Sequence, residues 1–269
     1  MMGLVSRVLK DKKFSFSIFT VASLVFLEMY IALFPAIQKQ GAELTKLMET
    51  YPDTFFKAFN IDKASLVFTD IAPYLAMEMF NFIWPILVII MGISLANYFI
   101  AGEVEKGTIE ILLSQPISRA KLFLLRYSTG LGIFILFSLI TIFAIIPFSL
   151  LHNVDYNFQN IAALALASFL FALSVYSLAV MFASFVSEKS KSSFMTGGLL
   201  ILMYVLNLLA GLKDSLSFLK YFSLFYYYNP TMALSQGRFV EWSILVFIAI
   251  TLVTTIIGLM YFKRRDIAV

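Results

Sequence analysis

The sequence predicts an all-α membrane protein that crosses the bilayer six times. Hydrophobic residues make up 61% of its 269 residues and charged residues only 13%, and the mean hydropathy is +0.90. Soluble proteins carry about 25% charged residues, so lipid must surround most of this chain. Six apolar runs reach the roughly 20 residues that a spanning helix needs. These runs are residues 14–34, 79–100, 127–151, 158–186, 192–212 and 243–262, which we number membrane helices 1 to 6.

Residues 1–13 form a basic segment ahead of helix 1. On a helix, its apolar residues would share one side and its basic residues the other: Leu4, Val5, Val8 and Leu9 against Arg7, Lys10, Lys12 and Lys13. This pattern is typical of an interfacial helix in the headgroup layer, although a basic flank that only fixes the topology has the same composition. The apolar run that follows is longer than the core of a signal peptide. No small-residue cleavage motif comes after it, so we interpret it as a retained membrane helix.

The distribution of basic residues predicts the topology. An even number of spans places both ends of the chain on one side of the membrane. If that side is the cytoplasm, 13 of the 20 Lys and Arg residues lie in cytoplasmic segments, which is the distribution that the positive-inside rule favours. We therefore expect a multi-pass protein of the cell membrane with both termini in the cytoplasm.

Two segments on the predicted outer side are themselves partly apolar. A stripe at helical spacing between helices 1 and 2 predicts one or two amphipathic helices that cap the bundle, with substrate binding as the alternative. The stripe consists of Leu44, Leu47, Met48 and Tyr51. Between helices 5 and 6, residues 213–242 are too few for two more crossings but rich in Phe, Tyr and Leu. They predict a pair of short re-entrant helices, with an aromatic belt at the interface as the alternative.

The polar stretch from Gly102 to Arg126 joins helices 2 and 3 on the predicted cytoplasmic side. Its middle predicts a short amphipathic helix. The apolar face would comprise Ile109, Leu112 and Leu113, and other faces would carry Glu103, Lys106 and Glu110. Pro116 would end this helix, and Ser118 would cap the start of helix 3. A short helix fixed between two membrane spans forms a rigid projection that a soluble partner can grip.

Few charged or amide side chains fall inside the spans. Glu28 is the one ionisable residue deep in a span, where burial of a charge costs about 3 kcal/mol without a partner. It either lines a water-accessible substrate pathway or is hydrogen-bonded and fixes helix contacts. Asn81 and Asn97 of helix 2 are expected to form hydrogen bonds inside the bundle. His152, the only histidine, lies in the predicted turn between helices 3 and 4, and we interpret it as a solvated loop residue.

No pattern typical of an enzyme occurs in the sequence. The stretch from Gly102 to Thr108 matches G-x-x-x-x-G-T, but it lacks the lysine of a nucleotide-binding loop and follows a membrane helix rather than a strand. With no cysteine and one histidine, the chain lacks the usual ligands of a zinc site. Its basic residues are dispersed, which gives no support for nucleic-acid binding. We therefore expect no catalytic, cofactor-binding or metal-binding residue in this chain.

Three stretches resemble the permease subunits of ABC-2-type ATP-driven transporters. In the loop after helix 2 of that family, an acidic residue, a Gly-Thr pair, a Leu-rich helix and Pro-x-Ser-Arg follow one another. The matching residues here are Glu105, Gly107-Thr108, Leu112-Leu113 and Pro116-Ile117-Ser118-Arg119. The end of the chain, from Phe262 to Ile267, is similar to the closing signature of the family. The start of the chain is also similar to that of the family, since it has a basic segment, a single membrane helix and a Phe-Pro exit.

The resemblance implies that residues 1–269 form one ABC-2-type transmembrane domain, the non-catalytic subunit of an ATP-hydrolysing exporter. The implied partners are two copies of an ABC ATPase, which would hold the ATP and Mg, and a second permease, either identical or a sister chain. Residues 102–121 would be the coupling region that contacts the ATPase. Its expected contact residues are Glu103, Glu105, Lys106, Gly107, Thr108, Ile109, Glu110, Leu112, Leu113, Pro116, Ser118 and Arg119.

The composition indicates the class of cargo only broadly. An interior rich in Phe and Met, with 29 and 12 of these residues, suits an amphipathic or hydrophobic cargo such as a membrane-active peptide, a drug or a lipid-like molecule. The main alternative function is an ion-coupled secondary transporter or channel that needs no ATPase. Such a protein is expected to carry several intramembrane charges, whereas only Glu28 qualifies here. A scaffold or sensor subunit that moves no solute is the third alternative.

Overall fold

The six apolar runs correspond to six long helices in the computed structural model, which describes residues 2–52, 54, 56, 69–107 and 117–265. The helices are Met2–Lys39, Ile71–Glu105, Arg119–Leu151, Phe158–Phe185, Lys189–Leu212 and Ser243–Arg264. Each contains a stretch long and apolar enough to cross a membrane. No strand occurs in these described ranges. The all-α polytopic fold class is therefore confirmed.

Helix 1 differs from the prediction at both of its ends. It runs without a break from Met2 to Lys39, so residues 2–13 do not form a separate interfacial helix. The reason lies in the sequence, because neither glycine nor proline occurs between residues 4 and 34 to interrupt the helical hydrogen bonds. Pro35, which was expected at the exit from the helix, instead lies inside its last turns.

Helices 2 and 3 extend into the predicted coupling region. Gly102–Glu105 is the last turn of helix 2, and helix 3 begins at Arg119. Helix 2 also contains two π-helical segments, Ala76–Ile83 near its start and Asn97–Ala101 near its end. Segments of this type are rare and frequently occur at functional sites. The second one lies directly before the coupling region.

Helix 4 occupies the centre of the bundle and packs against helices 2, 3, 5 and 6. Small residues make this possible, since Ala167, Ser168 and Ala172 are all buried. Gly258 of helix 6 approaches so closely that an added Cβ would lie 3.2 Å from the Met181 Cα. Helix 4 is therefore the element around which helices 2, 3, 5 and 6 are assembled.

An aromatic cluster fills the core between helices 2, 3 and 4. The indole of Trp84 has its ring centre 6.3 Å from that of Phe137, 6.5 Å from that of Phe171 and 5.9 Å from that of Tyr228. All four side chains are buried. The Tyr228 hydroxyl forms a 3.1 Å hydrogen bond with the Ser168 hydroxyl, and burial raises the pKa of Tyr228. The residues just before helix 6 are thereby attached to the bundle core.

Short helices cover the end of the bundle away from the coupling region. Gly41–Glu49 is the expected amphipathic helix between helices 1 and 2. Three short helices, rather than the predicted pair, occupy the segment between helices 5 and 6: Asp214–Phe222, Leu224–Tyr227 and Pro230–Gln236. The first has no buried residue and lies along helix 5, whereas the third is largely buried and packs against helices 2 and 4. The segment contains three helices instead of two because Asn229 starts a separate helix at Pro230. The Asn229 side chain caps this helix by accepting a hydrogen bond from the Met232 N–H.

The start of helix 1 and the end of helix 6 lie at the same end of the bundle. Asp11 of helix 1 accepts a hydrogen bond from Tyr98 near the end of helix 2, and Arg265 after helix 6 donates to Ser184 at the end of helix 4. We call this the basic end, because most of the Lys and Arg residues outside the apolar runs belong to it, and we call the other the opposite end.

Candidate functional site

The candidate site lies at the basic end, where helix 2 enters the coupling region. The structure describes six of the predicted contact residues: Glu103, Glu105, Lys106, Gly107, Ser118 and Arg119. The other six, Thr108, Ile109, Glu110, Leu112, Leu113 and Pro116, lie outside the described residues, as does the predicted short amphipathic helix, and they remain predictions. The described residues nevertheless show how both ends of the coupling region are attached to the bundle.

Glu105 attaches the end of helix 2 to the start of helix 5. Its Oε2 accepts a 2.8 Å hydrogen bond from the backbone N–H of Lys189, the first residue of helix 5. Its Oε1 lies 3.9 Å from the Lys189 Nζ. Helix 5 has no side-chain cap from its own N-cap residue, Glu188. A carboxylate supplied by helix 2 thus satisfies a backbone donor and meets the positive end of the helix dipole.

Glu103 attaches the same turn of helix 2 to helix 3. Its Oε1 lies 3.4 Å from the Nη2 of Arg126, and the Arg126 Nη1 donates to the backbone carbonyl of Phe99 within the second π segment. Arg126 is buried. A buried guanidinium needs both a counter-charge and hydrogen-bond acceptors, and helix 2 provides both.

The π segment itself is joined to helix 5. The Asn97 side-chain amide donates to the Ser193 hydroxyl at 2.8 Å and to the Lys189 carbonyl at 3.3 Å, which confirms the hydrogen bonding predicted for this residue. At Gly102 an added Cβ would lie 2.5 Å from the Lys189 Cε and 2.7 Å from the Asn97 carbonyl oxygen. The Lys189 side chain can move away, but the Asn97 carbonyl belongs to the backbone of helix 2, so the end of the π segment requires glycine at this position.

The far side of the coupling region is attached to helices 4 and 6. The Ser118 hydroxyl accepts a hydrogen bond from the Lys121 N–H at 3.3 Å and caps helix 3, as predicted. The Arg119 Nη1 donates to the Arg265 carbonyl at 2.5 Å. Arg265 in turn donates from Nη1 to the carbonyls of Ser184 and Val186 at 3.1 and 3.0 Å. Burial lowers the pKa of Arg265, but an arginine remains charged at neutral pH.

Helix 2 ends in a left-handed turn. Gly107 has a φ of +69°, a conformation that glycine adopts without strain, and its N–H donates to the Val104 carbonyl at 3.0 Å. The coupling region is therefore held from its first residues by helices 3 and 5 and from its last by helices 4 and 6.

The sequence profile of the family described as ABC-2 family transporter protein matches residues 6–267, nearly the whole chain. The chain belongs to this family. No curated protein sequence gave a match to the chain. The protein is thus the multi-pass membrane permease of an ABC transporter, a class of subunit that associates with an ABC ATPase. Among the residues that the structure describes, no group of three His, Cys, Asp or Glu side chains is placed to hold a metal ion.

Glu28 of the permease is far from the coupling region and has a partner that the sequence analysis did not identify. Its Oε1 forms a 2.7 Å hydrogen bond with the Nε2 of His152, which follows helix 3 at the opposite end. His152 lies in the predicted turn, but its side chain is only 25% exposed and bonds to Glu28 instead of being fully solvated. The other carboxylate oxygen, Oε2, is buried and has no partner within the described part of the chain. The contact corresponds to the hydrogen-bonded alternative for Glu28, a link between helices 1 and 3.

A hollow of about 300 Å³ opens between helices 2 and 5 of the permease. Its walls are apolar except for one amide, and its lining residues are Asn81, Phe82, Pro85, Ile86, Ile89, Gly197, Leu200, Ile201, Tyr204 and Phe225. Asn81 lacks the hydrogen bond that was expected for it. Its Nδ2 is buried and has no partner among the described residues. The hollow is therefore lined almost entirely by apolar surface.

Proposed function

We propose that this permease is the membrane-spanning subunit of an ATP-driven exporter and that residues 102–121 receive the force from its ATPase. The observation that carries the proposal is the pair of carboxylates at the end of helix 2. Glu103 binds Arg126 of helix 3, and Glu105 binds the first N–H of helix 5. Because the coupling region leads directly from helix 2 to helix 3, a push on it would reach three of the six spans.

The proposed assembly has two permeases above two ATPase subunits. The second permease is an identical copy or a sister chain, and the ATP and Mg are held by the ATPases. The basic end faces the cytoplasm of the cell, in agreement with the positive-inside rule. Ile109, Leu112 and Leu113 would enter an apolar groove of the ATPase, and Glu110 would make a polar contact. Glu103 and Glu105 are instead engaged inside the permease, by Arg126 and Lys189.

We propose that closure of the ATPase pair tilts helices 2 and 3 and draws helix 5 with them. The last π segment is suited to absorb this movement, since its hydrogen bonds are less regular than those of an α-helix. Asn97 keeps helix 2 in contact with helix 5 while the segment changes. The hollow between these two helices would then change shape with each ATP cycle.

That hollow supports an amphipathic or hydrophobic cargo. Phe82, Tyr204 and Phe225 offer aromatic surface to an apolar ligand, and Asn81 is the one amide among the lining residues. Pockets of this composition bind ligands that are mainly apolar and carry a few polar groups. A membrane-active peptide, a drug or a lipid-like molecule has this character.

The deciding experiment tests whether the permease needs the coupling region to bind its ATPase. We expect Leu112→Glu to abolish co-purification with the cognate ATPase, because a carboxylate would enter an apolar groove. Leu47→Glu is the matched control, since Leu47 is an exposed leucine on the helix Gly41–Glu49 at the opposite end. Unchanged assembly and ATP turnover in Leu112→Glu would refute the assignment of the coupling region.

A second measurement separates this proposal from an ion-coupled transporter. The permease is reconstituted in lipid vesicles with and without the ATPase, and movement of a candidate cargo is followed with and without ATP. We expect movement only with both ATPase and ATP present. Transport by the permease alone, driven by an ion gradient and indifferent to nucleotide, would establish the alternative function.

A further inference from the structure

A groove of about 530 Å³ runs between helices 1 and 3 at the basic end. It is separate from the coupling region and from the hollow between helices 2 and 5. Its lining residues are Lys12, Lys13, Phe16, Leu125, Ser128, Thr129, Gly132, Ile133 and Leu136. The two lysines come from the start of helix 1, and the remaining wall is contributed by Phe16 and by one face of helix 3.

The positive charge is concentrated at one end of the groove. Lys12 is held at the level of the helix 2 terminus, because its Nζ lies 4.4 Å from the centre of the Tyr98 ring. The neighbouring acid, Asp11, accepts a hydrogen bond from the Tyr98 hydroxyl at 2.7 Å. Lys13 is exposed and has no ion-pair partner among the described residues. An anion entering the groove at this end would meet two ammonium groups.

The rest of the groove has no free hydrogen-bond donors for a polar ligand. The hydroxyls of Ser128 and Thr129 both donate to the Leu125 carbonyl, at 3.0 and 2.7 Å. Phe16, Ile133 and Leu136 complete an apolar wall. A ligand that fits must therefore be charged at one end and apolar along the remainder.

The dimensions of the groove match one lipid chain. Ser128, Gly132 and Leu136 are spaced four residues apart and share one face of helix 3. From Leu125 to Leu136 the helix rises about 16 Å, close to the roughly 15 Å depth of one leaflet of the hydrocarbon core. At Gly132 an added Cβ would have no atom within 4 Å. The middle of the groove is therefore open space.

We propose that this groove binds one anionic phospholipid, with its phosphate at Lys12 and Lys13 and one acyl chain along Gly132. The basic end faces the cytoplasmic leaflet in the proposed orientation, and this leaflet is the one that carries anionic lipids. A bound lipid would fill the space between helices 1 and 3 and hold them together. The site does not depend on whether the permease is coupled to ATP.

The test uses the complete permease in detergent, so that its result is independent of orientation and of ATP coupling. Phosphatidylglycerol or phosphatidylcholine is titrated into the protein, and retained lipid is counted by native mass spectrometry. Each lysine near a membrane surface strengthens binding of an anionic lipid about fivefold. We therefore expect one tightly held phosphatidylglycerol, bound at least tenfold more strongly than phosphatidylcholine.

Two variants change the groove in different ways. The double variant Lys12→Gln and Lys13→Gln should weaken binding of this one phosphatidylglycerol about 25-fold. Gly132→Leu should abolish it, because the new side chain would occupy the open space while clashing with nothing. Thermal unfolding without added lipid checks that Gly132→Leu is folded, and addition of phosphatidylglycerol should raise the melting temperature of the wild type but not of this variant.

Matched controls make the result specific to the groove. The double variant Lys263→Gln and Arg264→Gln removes two charges at the same end of the bundle, and Gly198→Leu introduces leucine at an exposed glycine of helix 5 with no atom near its Cβ. Both should retain the tightly held lipid. Equal binding of the two lipids, or retention of the lipid by Gly132→Leu, would overturn the proposal. A change of oligomeric state in Gly132→Leu with an unchanged lipid count would also overturn it, because the groove would then be a contact between protein chains.

Discussion

The contact between Glu105 and the start of helix 5 offers the most direct test of how movement spreads from the coupling region. Glu105→Ala removes both the hydrogen bond to the Lys189 N–H and the negative charge near the helix N-terminus. Glu105→Gln removes the charge but keeps an oxygen that can accept the 2.8 Å hydrogen bond. Comparison of the two variants separates the cap from the charge.

The expected interaction energy between Glu105 and the start of helix 5 depends on how exposed the two side chains are. A side-chain cap at a helix N-terminus contributes about 1 kcal/mol, and a carboxylate near the helix dipole contributes about 0.5 kcal/mol. The 3.9 Å ion pair between Glu105 and Lys189 adds little, because the side chains are 43% and 39% exposed and solvent screens them. We therefore expect the interaction between residue 105 and the start of helix 5 to weaken by about 1.5 kcal/mol in Glu105→Ala and by about 0.5 kcal/mol in Glu105→Gln.

The assay is the substrate-stimulated part of the ATPase activity in vesicles that contain permease and ATPase. If the cap passes movement from helix 2 to helix 5, Glu105→Ala should reduce this stimulation about tenfold and Glu105→Gln about twofold. The basal ATPase rate and the co-purification of the two subunits should change little, since the Glu105 carboxylate is directed at helix 5.

Glu188→Ala is the control. Glu188 is an exposed carboxylate at the N-terminus of the same helix, and it pairs with Lys191 rather than with a backbone N–H. Its removal should leave the stimulation nearly unchanged. Equal losses in Glu188→Ala and Glu105→Ala would show that only the charge near helix 5 matters. Full stimulation in Glu105→Ala would refute the role of the contact altogether.

Three other predictions concern stability and transport. Gly102→Ala should destabilise the permease by about 2 kcal/mol, because its Cβ would overlap the Asn97 carbonyl oxygen. Gly198→Ala should not destabilise it, because the space around Gly198 is open. Equal melting temperatures of the two variants would contradict this prediction. Ser118→Ala should cost about 1 kcal/mol through loss of the cap on helix 3, and an unchanged free energy of unfolding would show that the cap is dispensable. Glu28→Ala and His152→Ala should show a coupling energy of about 1 kcal/mol in a double-mutant cycle of thermal stability, because they share one hydrogen bond. Strictly additive losses would argue against that bond, and normal transport by Glu28→Ala would exclude Glu28 from the substrate pathway.

Features that depend on neighbouring residues could be predicted from the sequence. The six spans are long apolar runs, and each became a helix because the bilayer leaves the backbone no other partner for its hydrogen bonds. The cap at Ser118 follows from a serine placed before a helical run. The start of helix 1 and the end of helix 6 lie at the same end of the bundle because the number of spans is even. The extra turns of helices 1 and 2 were missed because apolar character ends before the helical hydrogen bonds do.

Contacts between distant side chains could not be predicted, and the reason is physical. In a membrane bundle both the buried face and the lipid-facing face of a helix are apolar, so hydrophobic periodicity no longer indicates which face packs inward. Phe134 is buried and its neighbour Ile135 is exposed, yet both are large apolar residues.

The sequence by itself therefore determined the number of spans, their approximate limits and the cap of helix 3. The tertiary structure alone decided the rotation and depth of each helix, and these set the partners of its few polar groups. Glu105 meets Lys189 across 84 residues, and Glu28 meets His152 across 124. Such pairs form only when two helices present them at the same depth, which no local pattern of residues specifies.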